Sequence, residues 1–297
     1  IGSRGLGDVY KRQHLNLYPI NAGNFMLDGG AMFGVVPKAV WQKTSPADNN
    51  NMVKIAARCL LVEDGDRLML IDTGMGNKQS EKFFGYYYKW GEDSLDSSLK
   101  KCRFHADDVT DVFLTHLHFD HCGGSIIRSG ENSFETTFKN AKYWSNKHHW
   151  DWATNPNERE SASFLKENIR PILDSGQLNY LEKDQENYLT RSSLGFDVLF
   201  VDGHTEKQMI PIVNYKGQKI AFAADLVPTH GHVPLPYIPG YDIRPLISLK
   251  EKELFLNFCH ENNVFLFFEH DANVELGSLK KTDRGIRLNE KLTLLDL

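Results

Sequence analysis

The sequence predicts an αβ/βα sandwich, an α/β fold of four layers in which two β-sheets stack between helices. Three observations lead there. Short apolar runs rich in β-branched and aromatic residues alternate with longer helical patterns along the chain. The strand signals form two groups with helical patterns flanking each. Several strands run straight into loops bearing His or Asp, and in layered α/β folds chemistry collects at strand ends.

In chain order, an alternating strand opens at His14-Leu15-Asn16-Leu17-Tyr18. Residues 27–38 read as a glycine-rich turn joining two strands, and 54–63 with 67–72 as a hairpin around Asp64-Gly65-Asp66. Further strands are expected at 111–115, 142–144, 197–201, 209–215, 219–223 and 264–268, with Lys216-Gly217-Gln218 as a turn. Helical patterns fit 80–88, 94–101, 147–153, 158–169 and 248–261. Residues 140–186 read as a helical insertion covering the site. No internal repeat or low-complexity linker appears, so 14–297 is expected to be a single domain. Residues 1–13 show no periodicity and resemble a cloning remnant.

The run Thr115-His116-Leu117-His118-Phe119-Asp120-His121 follows the apolar stretch Val112-Phe113-Leu114. On an extended backbone His116 and His118 point to one side. Asp120 and His121 follow in a turn that Gly123-Gly124 lets fold back tightly. Imidazole nitrogen with carboxylate oxygen is a ligand set that zinc, iron or manganese accepts. So many ligand-type residues at fixed spacing specify a metal site. One loop cannot close such a site, and His204, Asp225 and His270, each placed where an apolar strand enters a loop, are the residues to complete it.

Together these stretches resemble the metallo-β-lactamase superfamily over most of the chain. Ile71-Asp72-Thr73-Gly74 is similar to its first motif, residues 115–121 to its second, and Gly203-His204-Thr205 to its third. Ala224-Asp225 is similar to the fourth and Glu269-His270-Asp271 to the fifth, all in family order. The resemblance implies two divalent metals, zinc by expectation. His116, His118 and His204 would hold one, Asp120, His121 and His270 the other, and Asp225 would bridge them. Asp72 would stand behind the ligands and orient them. Aspartate at 225 argues against the antibiotic-hydrolysing members, where the resemblance leads one to expect cysteine.

The segment Leu27-Asp28-Gly29-Gly30-Ala31-Met32-Phe33-Gly34-Val35-Val36-Pro37-Lys38 resembles the N-terminal signature of lactonases that open acyl-homoserine lactones. It also resembles phosphotriesterases of the methyl parathion hydrolase type, so organophosphate or aryl-ester hydrolysis is the alternative activity. Two departures stand out. Pro228 occupies the place where some lactonases carry a substrate-contacting tyrosine, and Glu206-Lys207-Gln208 replaces the usual Pro-Gly-His. The implied chemistry is attack by a hydroxide bridging the two metals, with Asp225 holding the pair and Asp120 passing a proton to the leaving oxygen. No Gly-x-Ser-x-Gly motif or credible triad competes with it.

Composition agrees with a cytosolic enzyme, while the resemblance implies a small-molecule substrate. A chain of 297 residues with 41% hydrophobic residues can bury a proper core, and a net charge of -5 gives no bias toward nucleic acid. No apolar run approaches membrane-span length, and no basic stretch precedes an apolar block as in a signal peptide. Cys59, Cys102, Cys122 and Cys259 lack disulfide or zinc-finger spacing and read as reduced thiols, Cys122 as a buried structural one.

The apolar tail of such a substrate needs a groove, expected from Met26, Phe33, Phe119, Trp150 and Trp152, with Tyr237 as hydrogen-bond donor to the ring. The aromatic run 83–90 cannot all face one core, so part of it is expected to line a groove or a partner, and the resemblance allows a homodimer. His148-His149 reads as a polar helix face, and His230 and His232 as pocket or loop-surface residues. A flavin-coupled di-iron protein is the rival from another class, but no flavodoxin-like half follows within these residues.

Overall fold

The computed structural model describes residues 15–297, so the remnant expected over 1–13 lies outside the described residues. Strand β1 (Asn16–Asp28) extends well beyond its alternating start because it pairs antiparallel with β2 (Met52–Asp64) along nearly its whole length. Between them the glycine-rich stretch forms short helices α1 (Gly29–Phe33) and α2 (Lys38–Trp41) rather than a turn. Asp28 caps α1 by accepting the Ala31 amide at 2.8 Å. Gly29 is needed there because a Cβ would stand 2.3 Å from the Trp41 ring. β2 turns into β3 (Arg67–Ile71) through the expected hairpin, where Gly65 supplies a φ of 61°.

Helices α3 (Glu81–Gly85) and α4 (Leu95–Lys101) lead to β4 (Asp111–Phe113) and the single turn α5 (Phe119–Cys122). A small hairpin of β5 (Ile126–Arg128) and β6 (Phe134–Thr136) precedes β7 (Lys142–Ser145), α6 (Lys147–Thr154), α7 (Lys166–Asp174) and β8 (Leu178–Tyr180). The first sheet runs β1-β2-β3-β4-β7-β8, with parallel pairing from β3 onward. Residues 140–186 are therefore not a helical insertion, since they contribute β7 and β8 to this sheet. The helix expected over 158–169 is also displaced. Asn157 Oδ1 accepts the amides of Arg159 and Glu160 at 2.9 and 3.2 Å, a local turn that competes with helix, and α7 starts only at Lys166.

The second sheet comprises β9 (Thr190–Arg191), β10 (Asp197–Val201), β11 (Gln208–Tyr215), β12 (Gln218–Phe222), β13 (Val264–Phe267), β14 (Leu276–Thr282) and β15 (Gly285–Leu292), hydrogen-bonded in the order β15 to β9. Helix α8 (Pro245–Glu261) makes the crossover between the parallel pair β12 and β13, with Pro245 at its first turn. The β14–β15 hairpin was not expected. Its strands carry mostly Lys, Arg, Asn and Glu on an exposed face, and a register shift between Gly277 and Leu279 breaks the alternation.

Alternation along the first sheet builds both cores. Leu60, Val62, Met69, Ile71 and Phe113 enter the core shared with the second sheet. Cys59, Leu61, Leu68, Leu70 and Val112 face Leu99 of α4, Trp150 of α6 and Ile172 of α7. Phe255, Leu256 and Cys259 of α8 join the shared core from the opposite side, completing the helix–sheet–sheet–helix layers. Among the described residues no helix is long and apolar enough to cross a membrane.

The loop after β3 lies directly on Gly123-Gly124, where a Cβ on Gly124 would come within 2.1 Å of the Thr73 carbonyl oxygen. Gly124→Ala is expected to cost about 1–3 kcal/mol by overpacking. Gly85→Ala, with nothing within 4 Å, should stay within about 0.5 kcal/mol of the wild type. Urea denaturation checks both, and equal midpoints would contradict the close approach.

Candidate metal centre

The first sheet delivers its part of the centre through Asp72. This residue takes a left-handed φ of 57°, a region aspartate tolerates better than most. Its carboxylate accepts the Thr115 amide at 2.8 Å and the Thr115 hydroxyl at 2.7 Å, fixing the turn that leaves β4. His116 and His118 follow, and α5 presents Asp120 and His121. The second sheet supplies His204 after β10, Asp225 after β12 and His270 after β13. His149 holds the first loop from below. Its Nε2 accepts the Leu117 amide at 2.8 Å and its Nδ1 donates to the Glu206 carbonyl, so it is a buried neutral ring rather than a polar helix face, and burial brings its pKa down to about 3. His148 is the exposed member of the pair.

The seven side chains singled out in the sequence converge in two groups, one of His116, His118, His204 and Asp225, the other of Asp120, His121 and His270. In the first group His118 Nδ1 lies 3.0 Å from His116 Nε2 and 3.1 Å from His204 Nε2. In the second, His121 Nε2 and His270 Nε2 are 3.1 Å apart, with Asp120 oxygens 3.8–4.0 Å from them. Asp225 stands between the groups, Oδ2 at 3.1 Å from His204 Nε2 and Oδ1 at 3.1 Å from His270 Nε2. Nitrogens aimed at one another and at shared carboxylates, all buried or nearly so, suit bound metal cations better than they suit each other.

Four of the five imidazoles are hydrogen-bonded through their other nitrogen. Thr115 gives its only hydroxyl proton to Asp72, so its oxygen accepts from His116 Nδ1 at 3.1 Å. His121 Nδ1 donates to Asp72 Oδ2 at 3.0 Å, with Glu269 Oε2 at 3.1 Å. His204 Nδ1 donates to Asp242 Oδ1 at 2.8 Å and His270 Nδ1 to the Ala56 carbonyl at 2.9 Å. His118 Nε2 faces Glu160 Oε1 at 3.5 Å. Glu160, Asp242 and the Ala56 carbonyl carry no sequence signal of their own and were missed.

Electrostatics describe a site that retains protons where cations fit. Burial disfavours the charged form of every ring, yet Asp225 and Asp242 outweigh it and raise His204 to about 10. Against the same burial, Asp225 and Glu269 raise His270 to about 9. His116, buried among three other imidazoles, falls well below the ordinary value. Asp225 is held well below the carboxylate range by His121, His270 and His204 despite its burial. Cys122 is pushed up to about 12 by burial and points its sulfur at the Leu117 carbonyl, away from the ligands.

Above the centre lies a cavity of about 430 Å³ reaching His118, Asp120, His204, Asp225 and His270. Phe119 lines it and packs against Phe83 and Tyr87 at ring distances of 5.3 and 5.0 Å. The other expected substrate contacts lie elsewhere. Phe33 is sandwiched between Trp41 and His232, Trp150 is in the helix-side core, and Trp152 donates to Glu160. Met26 lines a neighbouring cavity, and the backbone of Tyr237 is tied to Lys252. Tyr87, Arg159 and Tyr241 line the cavity instead. His232 is buried in that stack, and His230 pairs with Asp271.

The family model described as the metallo-beta-lactamase superfamily matches residues 55–258. An N-acyl homoserine lactonase of Bacillus thuringiensis is 23% identical over 273 residues, spanning 87% of this chain and 94% of that relative. A solved structure named a "probable metal-dependent hydrolase" from Staphylococcus aureus aligns with a TM-score of 0.81 at 27% identity, covering 95% of this chain and 99% of that one. AidC, a dizinc quorum-quenching lactonase solved with a product, aligns at 0.74 and 22% identity over 95% and 97% of the two chains.

Cations must displace the protons on His204 and His270, whose pKa values of about 10 and 9 keep them charged at neutral pH in the metal-free chain. Zinc binding near neutral pH should therefore release protons, and affinity should weaken as pH falls. Calorimetry in buffers of different ionisation enthalpy reads the release directly; a heat independent of buffer would count against this donor set.

Proposed function

Because the chain belongs to the metallo-β-lactamase superfamily and is a metal-dependent hydrolase, we propose that it opens the ring of N-acyl-homoserine lactones at a centre of two divalent cations, zinc in this reading. One observation carries the proposal. Two histidine groups share Asp225 at the floor of one cavity whose wall is aromatic, so a polar ester and an apolar tail can be held side by side. His116, His118 and His204 would hold one cation, and Asp120, His121 and His270 the other, with Asp225 between. When bound, the pair would supply Lewis acidity for the ester carbonyl and a nucleophile drawn from water at neutral pH.

The remaining work falls to the chain. Hydrolysis adds water across the ring C–O bond, giving a carboxylate and an alcohol, and a proton must reach the departing alkoxide oxygen. Asp120 opens onto the cavity beside both histidines of its group and is placed to take the proton lost by water and pass it on. Phe119 and Tyr87, with Phe83 packed behind them, form the wall for the acyl tail. Pro228 lines the cavity without a donor, and Tyr241, from the loop beyond it, takes the role first expected of Tyr237. Tyr241 is 42% exposed as a whole, but burial of its phenol against the cavity wall, beside Asp120 and Tyr87, raises it above its ordinary pKa, so it remains a neutral donor for the lactone or its amide.

Turnover of a homologous acyl series should rise with tail length, by up to roughly 0.8 kcal/mol in kcat/KM for each methylene fully buried. A flat response, or phosphotriester or aryl-ester turnover above every lactone, would transfer the assignment to the organophosphate-hydrolase reading. Tyr241→Phe should lower kcat/KM for lactones about tenfold, the worth of one good hydrogen bond. An unchanged value would remove Tyr241 from substrate recognition.

A further inference from the structure

Glu160 comes from neither sheet. It sits in the turn between α6 and α7, 3% exposed, and its carboxylate is surrounded by donors. Oε1 accepts from Thr205 Oγ1 at 2.6 Å, while Oε2 accepts from Trp152 Nε1 at 2.7 Å and Asn157 Nδ2 at 2.6 Å. These bonds fix the plane of the carboxylate and leave Oε1 facing His118 Nε2 at 3.5 Å. That nitrogen is buried and has no closer partner, and Phe164 packs against its ring at 4.8 Å. His118 differs from the other four rings in turning Nδ1, not Nε2, toward the centre. A neutral imidazole that offers Nδ1 to a cation must keep its proton on Nε2, and Glu160 is the acceptor in line for it.

The same turn is part of the cavity. Arg159, Ala162 and Ser163 line it, and Arg159 Nη2 donates to the carbonyls of Gly240 and Asp242 at 2.5 and 3.3 Å. Asp242 in turn orients His204, a member of the same histidine group as His118.

We propose that Glu160 is the positioning residue for His118, selecting its tautomer and tying the cavity-covering turn to one of the two cation positions. The inference rests on the two-cation reading. Outer partners of ligating histidines typically govern metal affinity by 10- to 100-fold. Glu160→Gln puts an amide N–H among groups that all donate, so His118 loses its acceptor or another donor is stranded.

The experiment strips the full chain of metal and titrates it with zinc against a competing chelator. Wild type should take up two ions. Glu160→Gln should weaken one of them about 10- to 100-fold while leaving the second unchanged, and the stranded donor should lower the melting temperature of the metal-free protein slightly. Glu269→Gln, acting behind His121, should weaken the other ion instead. Thr205→Val, which frees Oε1 without altering charge, should weaken the same ion as Glu160→Gln but by less, and serves if that variant folds poorly. Cobalt substitution gives a second readout, since visible bands of only one site should change. A wild-type chain holding a single ion contradicts the two-cation reading. Two ions that the Glu160 variant leaves alone, or weakens equally, contradict the role of Glu160.

Discussion

An imidazole left to itself rotates and exchanges tautomers, so five of them can aim their lone pairs at common points only if each is held from behind. The structure sets Thr115, Glu160, Asp72, Asp242 and the Ala56 carbonyl behind them, four by hydrogen bonds and Glu160 at 3.5 Å. These anchors come from the turn after β4, the turn before α7, the end of β3, the loop before α8 and the middle of β2. Most of the fold is thereby committed to one set of ring orientations. The same anchoring explains how so many ionisable groups can share a dry interior, where an unpaired charge would be costly.

Helix α8 provides the second level of support. Glu251 accepts the amides of Asp202 and Gly203 at 2.8 and 2.9 Å, just before His204. Lys252, fully buried, donates to the carbonyls of His232, Pro234 and Tyr237 at 2.8, 3.1 and 2.7 Å, bracing the long loop beyond Asp225. Burial lowers its pKa to about 7, but three carbonyl acceptors satisfy all of its donors. Two adjacent residues on one helix thus brace the third-motif loop and the cavity wall.

The parts of this chain that were legible in its sequence are those whose chemistry is local. Apolar runs such as Val198–Val201 declare strands because both faces are buried, and the His/Asp run after β4 declares itself by density. The β14–β15 hairpin was hidden because half of each strand faces water and its composition is that of a loop. Glu160, Asp242 and Tyr241 were hidden for a different reason. A lone acid or phenol in a loop looks like any surface residue until tertiary contacts bury it. Phe33 and Trp150 misled in the opposite sense, since a large aromatic near a motif fills a core as readily as a groove, and here stacking with Trp41 and the packing of α6 against the first sheet decided the matter. Residues 140–186 looked like a helical insertion because, β7 apart, their one further strand β8 is only three residues long.

The chain completes its first sheet by Tyr180 and enters its second only at Thr190, crossing once through a segment exposed at Gln185–Tyr188. Four of the converging side chains lie before that crossing and three after it. Backbone contact between the halves at the centre comes from β2, where the amides of Ala56 and Arg58 reach the carbonyls of His270 and Glu269 at 3.3 and 3.0 Å, and from Thr115, whose carbonyl accepts the Met209 amide at 2.9 Å. Cations seated there would act as a cross-link between two consecutive fragments, drawing ligands from both. Were the chain nicked at the crossing, the core shared by the two sheets would still hold the fragments together, and bound metal would tighten their association by mass action.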